Sequence, residues 1–299
     1  RRRRGWPGTH GAAVAYSAAM HERPPVTLQL CGRFALAVDG HVRPDGGWRS
    51  RRAAELVQLL ALEPGLSLPH EQAIEALWPH LDPAAGSANL RKAAHLARQS
   101  LGEDDAVVLR SGRVGLFPDR AVTSDAHAFE QAADDALARP DAPRCAAAAR
   151  LYGGDLLPDL RFEAWAAGPR QRLRDKFLRL LRAAQDWERL AQEDPGDEPA
   201  HQALMQQALA AGSPATALQC YARLRAHLEQ ALVVRPGAQT EALYRACLAG
   251  LQPRGPAFVG RAAELARAHA WLAAALTASQ QAASSRASAA DGVSAMATA

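Results

Sequence analysis

Lysine is nearly absent: Lys92 and Lys176 are the only two in 299 residues, and every other cation among the 35 Lys and Arg is arginine. With the abundant alanine, this reads as GC-rich coding, so the arginine bias identifies no partner, although guanidinium suits phosphate and guanine geometrically. Cysteine is also sparse. Cys31, Cys145, Cys220 and Cys247 stand far apart, with no C-x-x-C pair and no clustered His. That spacing excludes a disulfide framework or a zinc site and points to buried free thiols in a reducing cytosol.

Long apolar runs are missing too. Ala270 to Ala278 spans only about half of the ~20 residues that a membrane helix needs. Arg1 to Arg4 followed by an uncharged stretch has the charge order of a signal peptide, but its apolar part, Ala12 to Tyr16, is short and lacks Leu. Residues 1–19 read as disorder or as read-through ahead of Met20, the expected location is cytoplasmic, and no membrane partner is expected. Catalytic signatures are absent as well. A phosphate loop needs Lys after Gly, and neither lysine follows one. His70-Glu71 has Ile74 where a zinc-protease motif would place its second His, and no G-x-S-x-G occurs. The expectation is therefore no catalytic residue, no metal, no cofactor and no enzyme.

What is present suits two ordinary soluble domains: 48% hydrophobic and 22% charged residues, with a net charge of +4. Val26 to Cys31 and Phe34 to Val38 are short strand-like runs, the second ending in the turn Asp39-Gly40. Ser50 to Leu62 carries Ala53, Leu56, Val57, Leu60 and Ala61 at helical spacing, closed by Pro64-Gly65. A helix runs from Pro69 to Trp78. Asp82 to Gly86 reads as a loop, with Ser87 capping a further helix to Leu101-Gly102. Val107 to Arg110 and Arg113 to Phe117 form a hairpin about Ser111-Gly112. Strands, three helices and a hairpin are the layout of a winged helix. From Asp125 the pattern is helical throughout: 125–138, 143–152, 163–193, 198–211, 214–232 and 238–250. The pair at 198–232 has the ~34-residue length and small contact residues of a tetratricopeptide (TPR) unit. The expected fold is mainly α with a small β component, a winged helix followed by a TPR-like all-α domain.

On the helix ending at Leu101, Leu90, Ala93, Ala94, Ala97 and Leu101 share an arc of roughly 100°. Arg91, Lys92, His95, Arg98 and Gln99 fall opposite, with no acidic residue among them. A charged face is ordinarily just solvated, but solvated faces mix signs and this one does not. Its place before a hairpin bearing Arg110 and Arg113 favours contact with a major groove. Residues 24–120 nonetheless hold eleven Lys/Arg and eleven Asp/Glu, so positive charge is segregated and not in excess. Trp165, Trp187 and Tyr221 sit among apolar residues and read as core, and the acidic run Asp194 to Glu198 as a turn.

These residues carry a family resemblance. Leu28-Gln-Leu-Cys-Gly32, Glu75-Ala-Leu-Trp-Pro79 and Asn89-Leu-Arg-Lys-Ala-Ala94 resemble the OmpR-type winged helix. Gly154-Asp-Leu-Leu-Pro158, Glu163-Ala-Trp165, Glu198 to Met205 and Ala217-Leu-Gln-Cys-Tyr221 are similar to the bacterial transcriptional activator domain (BTAD) of SARP-type regulators. Phe258 to Leu265 looks like the opening of the signal-transduction ATPase domain of larger members, which would make this chain a truncated or frameshifted relative or a fragment. The resemblance implies a DNA-binding domain at 24–120, a BTAD at 123–252 and an ATPase opening at 253–272; by composition, residues 1–23 read as a disordered or mis-assigned leader and 273–299 as a disordered tail. It implies a transcriptional activator on double-stranded promoter DNA, with Asn89, Arg91, Lys92, His95, Arg98, Gln99, Arg110 and Arg113 as DNA contacts. RNA polymerase would meet the loop from Trp78 to Gly86, notably Pro79, His80 and Asp82, and direct repeats would be bound by homodimers. Two alternatives stand beside it: a TPR-like protein-interaction scaffold with weak or lost DNA binding, and a nucleotide-driven switch resting only on Gly260-Arg261 and Glu264-Leu265.

Overall fold

A computed structural model describes residues 25–43 and 47–251, together with 266, 267, 269–271 and 274. The expected leader, the segment Phe258 to Leu265 and the tail past residue 274 lie outside the described residues, as does most of 253–272.

The front of the chain opens with β1 (Val26–Gln29), β2 (Ala35–Val38) and β3 (His41–Arg43). Alternation places Val26 and Leu28 of β1, and Leu36 and Val38 of β2, against the core. Three helices follow: α1 (Arg51–Leu62), α2 (His70–Leu77) and α3 (Pro83–Leu101). Strand β4 (Ser67–Pro69) precedes α2, and the hairpin β5 (Val107–Arg110) and β6 (Arg113–Leu116) follows α3. These three strands form a second sheet in the order β4-β6-β5. Ser111 and Gly112 both have positive φ, which suits a two-residue hairpin turn. A helix-turn-helix with a hairpin wing is the result.

Helix α3 begins five residues before the expected Ser87 start. Asp82 is its N-cap, accepting from the backbone N–H of Ala84 at 2.9 Å and of Ala85 at 3.0 Å, with Pro83 in the first turn. The Asp-Pro pair is a start signal in its own right, and Gly86, read as loop, is buried inside the first turns.

Behind the wing, β7 (Val122–Ser124) leads into α4 (Asp125–Ala138), α5 (Ala142–Ala149), α6 (Ala164–Ala183), α7 (Trp187–Glu193), α8 (Glu198–Ala210), α9 (Pro214–His227) and α10 (Ala238–Leu251). The helix expected over 163–193 is two helices. Gln185 turns to φ 57° and Asp186 caps α7 through Arg189 N–H, so the chain doubles back without Gly or Pro. Likewise the helix expected over 214–232 ends at His227 and adds one wide turn over Leu228–Leu232 before Val233 at φ 55°. The acidic run is structural: Asp197 caps α8 through Ala200 N–H at 2.9 Å and pairs with Arg182, while Glu198 accepts from Gly237 N–H at 2.9 Å.

The two portions share one apolar core that runs from Val26 to Ala200. β7 pairs in parallel with β1, Val26 opposite Val122 and Leu28 opposite Ser124, extending the first sheet to the order β3-β2-β1-β7. Asp125, the first residue of α4, accepts from Leu30 N–H at 2.7 Å and Cys31 N–H at 3.0 Å. The same short segment donates Gly32 N–H to the Asp155 carbonyl and accepts Leu157 N–H at the Leu30 carbonyl, both at 2.9 Å. The chains approach so closely there that a Cβ on Gly32, at φ +76°, would sit 2.6 Å from the Gly153 carbonyl oxygen. Tyr152 anchors the loop, stacked on Phe177 at 4.2 Å with its hydroxyl donating to Asp155 at 3.1 Å. Arg170 holds the loop's other side, donating to the carbonyls of Leu156 and Leu160 at 2.9 and 3.1 Å.

Asp125→Ala is expected to strand two partly buried N–H groups and to cost roughly 2 kcal/mol, with Asp125→Asn losing less because it keeps an acceptor. Urea unfolding of both variants checks this; an unchanged midpoint in the alanine variant would show that the carboxylate contributes nothing.

Candidate nucleic-acid interface

Helix α3 lies on α1 and α2 and meets β5 at its C-terminal end. Leu90, Ala93, Ala94, Ala97 and Leu101 are all buried, so the sequence-derived arc is the docking side. The fit against α2 is close at Gly86, where a Cβ would fall 2.4 Å from Ile74 Cγ2. The C-terminal end is held by cations: Arg43 donates to the Leu101 carbonyl at 2.6 Å, where the helix dipole favours positive charge.

The opposite face divides. Arg91, Lys92, His95 and Gln99 are exposed, and Asn89 is half-buried. Among the described residues neither Arg91 nor Lys92 has an ion-pair partner. A ring nitrogen of His95 lies 3.0 Å from the Gln99 amide nitrogen, one turn apart. Arg98 is different. It is half-buried and its guanidinium donates to the Val107 carbonyl at 2.7 Å, tying α3 to the first strand of the wing.

In the wing, Arg113 is exposed but committed, donating to the Ser67 hydroxyl at 3.0 Å and the Ser67 carbonyl at 2.9 Å. Arg110, directly opposite it in the ladder, is exposed and makes no ion pair among the described residues. The wing tip itself is fastened to the start of α2, since His70 N–H donates to the Gly112 carbonyl at 2.9 Å. One exposed cation escaped the sequence reading. The backbone N–H of Arg49 donates to the Ser100 hydroxyl at 3.0 Å, which places Arg49 beside the C-terminal end of α3. Its position just before α1 gave no signal of that.

Other arginines of this portion serve the fold. Arg51 and Arg52 each donate to buried Glu55 at 2.6 Å, and Arg51 also reaches Glu163, at the N-cap of α6, at 3.2 Å. Arg120 bridges Glu103 and Asp39, both at 2.7 Å. Beyond α3, Pro79, His80 and Asp82 are exposed at the turn, with the Asp82 carboxylate already engaged as the helix cap. Of these, Pro79 lines a cleft of about 660 Å³ with Glu71, Glu75 and Trp78.

Among the described residues no group of His, Cys, Asp or Glu is arranged to hold a metal ion, and no helix is long and apolar enough to cross a membrane. All four cysteines are buried, and burial with the nearby Asp125 and Asp155 charges pushes the Cys31 thiol up to about 12. Trp165 and Trp187 pack partly buried against the core, and Tyr221 is buried.

The architecture is therefore that of a winged helix fused to a TPR-like helical array. Residues 124–248 match the family model of the bacterial transcriptional activator domain. In structure the chain is similar to Mycobacterium tuberculosis EmbR, solved in complex with a low-affinity phosphopeptide, with a TM-score of 0.54 and 19% identity. The likeness covers 75% of this chain and 65% of the EmbR chain, so this chain spans under two thirds of that structure's length. No curated protein matches the sequence significantly.

Gly86→Ala is expected to push α2 from α3 and destabilise by about 1–3 kcal/mol. Removing the obstructing Cγ2 with Ile74→Ala in the same chain recovers part of that loss. Strict additivity of the two in thermal unfolding would rule out the close approach as the cause.

Proposed function

We propose that the chain is a sequence-specific DNA-binding transcriptional activator, formed by a DNA-binding domain at 24–120 and the activator domain at 123–252. The observation that carries this reading is the single-sign, outward face of α3: Arg91, Lys92, His95 and Gln99, with Arg91 and Lys92 free of acidic partners among the described residues. A major groove admits a helix, Arg or Lys matches the acceptors of guanine, and Gln or Asn matches adenine. Asn89 stands on the N-terminal half of the same helix, the half that enters the groove in helix-turn-helix proteins. Arg110, with Arg49, supplies phosphate contacts at the flanks. Arg98 and Arg113 act chiefly by positioning the helix and the wing, since their guanidinium groups are already bonded to backbone and Ser67.

The near-neutral front portion assigns specificity to a few directed contacts and gives little non-specific affinity. Recruitment of RNA polymerase is assigned to the exposed turn at Pro79, His80 and Asp82, with the Glu71 and Glu75 cleft beside it. Binding as a homodimer on direct repeats completes the reading, in the cytoplasm and without a cofactor.

Selection of duplexes from a random-sequence pool by the full chain, then gel shifts across a salt series, tests it. Arg91→Ala and Gln99→Ala should each weaken the selected site by about 1–3 kcal/mol, while Lys92→Ala also lowers the salt slope by about 1. A pool that never enriches, or variants that bind like the parent, would sink the DNA-binding reading and favour the protein-interaction scaffold.

A further inference from the structure

The cleft of about 660 Å³ beside the start of α3 has apolar walls from Ile74, Trp78, Leu81 and Pro83 and carries the carboxylates of Glu71 and Glu75. Both carboxylates are exposed, stand one helical turn apart on α2, and have no ion-pair partner among the described residues. Like charges at i and i+4 repel, and among the described residues no Lys or Arg lines the cleft to offset them. An occupant that suits it has an apolar body and a cation at its edge.

The turn that follows α9 has that composition. Leu232, Val233 and Val234 are 59%, 87% and 48% exposed, three large apolar residues in succession, and Arg235 beside them is exposed too. Single exposed apolar residues are ordinary, whereas a consecutive run marks a surface that something covers. Local packing does not use them, since the apolar cluster of this part of the array forms from Met205, Ala208, Ala217, Cys220, Tyr221 and Cys247. The turn is nevertheless held in place. Leu228 is buried, and the Val234 N–H donates to the Leu228 carbonyl at 3.2 Å. Val233 sits at φ 55°, a left-handed conformation unfavourable to a β-branched residue. No carboxylate pairs with Arg235 among the described residues. The acids on either side in sequence are already engaged, Glu229 with Arg225 at 2.7 Å and Glu241 with the Tyr221 hydroxyl at 2.6 Å.

We infer that the Leu232–Arg235 turn of one copy docks in the α2–α3 cleft of a second copy, its apolar side chains against Ile74 and Trp78 and Arg235 between Glu71 and Glu75. Cleft and turn are unlike surfaces, so the contact is head-to-tail and relates successive copies by one repeated step. It rests on the pairing on direct repeats proposed above, which needs such a step, and it leaves one cleft of each pair open for polymerase. All four native cysteines are buried, so thiols introduced at exposed positions react alone. Full chains carrying Val233→Cys are mixed with full chains carrying Glu71→Cys and treated with a short bismaleimide, without DNA. A linked dimer should form in the mixture and not from either variant alone. Adding Arg235→Glu to the first chain, or Glu75→Arg to the second, should lower its yield about fivefold or more, and the two reversals together should restore it. A misfolded chain could not be rescued in that way. No linked dimer, an equal dimer from one variant alone, or yields indifferent to the reversals would overturn the inference. The DNA-binding reading is judged separately, because the linking needs no DNA. A linked dimer from a chain whose random pool never enriches would remove that reading and keep the contact, and an enriched pool without a linked dimer would do the reverse.

Discussion

The Asp125 carboxylate holds the molecule together at its narrowest point. It accepts two backbone N–H groups from the end of the first strand and is itself the first residue of the first helix behind the wing. Around it, β7 lies parallel on β1, and the Leu30–Gly32 segment exchanges hydrogen bonds with Asp155 and Leu157. Backbone partners of this kind specify register, because a one-residue slip would turn Val26 and Leu28 out of the core. Gly32 and Gly154 fit that setting, where two backbones approach too closely for a Cβ to sit without a shift. The consequence is functional. A winged helix fused through a shared core holds α3 in a fixed orientation relative to the helical array.

Charge is spent in two different ways in the front portion. Arg43, Arg51, Arg52, Arg98, Arg113 and Arg120 are bonded to carbonyls, a hydroxyl or carboxylates inside the protein. What remains facing outward is Arg91 and Lys92 on α3, with Arg110, Arg49 and Arg33, the last donating only to the Gln29 side chain among the described residues. An arginine count therefore overstates the charge left free at the surface, and the equal numbers of acids and bases understate how clearly it is sorted. Exposed pairs contribute little stability in water, whereas the buried Glu55 needs its two arginines because an unpaired buried carboxylate is costly.

Much of this was legible in the sequence, for physical reasons that differ by element. The α3 arc was readable because apolar residues at helical spacing have one place to go, and all five are buried. The hairpin was readable from Ser111-Gly112, whose backbone demands are local. The start of α3 was misread because Asp82 looked like loop and Gly86 like a breaker, when close contact with Ile74 requires glycine inside the helix. The break at Gln185 was missed because no Gly or Pro marks it; Asp186, a capping residue, was the only signal. Arg98 and Arg113 were indistinguishable from Arg91 by pattern, since their partners, the Val107 carbonyl and Ser67, lie on other elements. The Gly154-Asp-Leu-Leu-Pro158 motif carried the family resemblance, but that it clasps the first sheet to the helical array emerges only from the fold.

The burial of all four cysteines makes a direct test available, because a thiol introduced on the surface is labelled alone. An iron chelate attached through Gln99→Cys, on the outer face of α3, generates hydroxyl radicals at the point where the groove should be. With a duplex selected by the full chain, cleavage should cluster within one short stretch of the bound site. The same chelate at Gln206→Cys, exposed on α8, should leave the DNA uncut. Diffuse or absent cleavage from position 99, or an equal pattern from position 206, would contradict the assignment of α3 as the element that enters DNA.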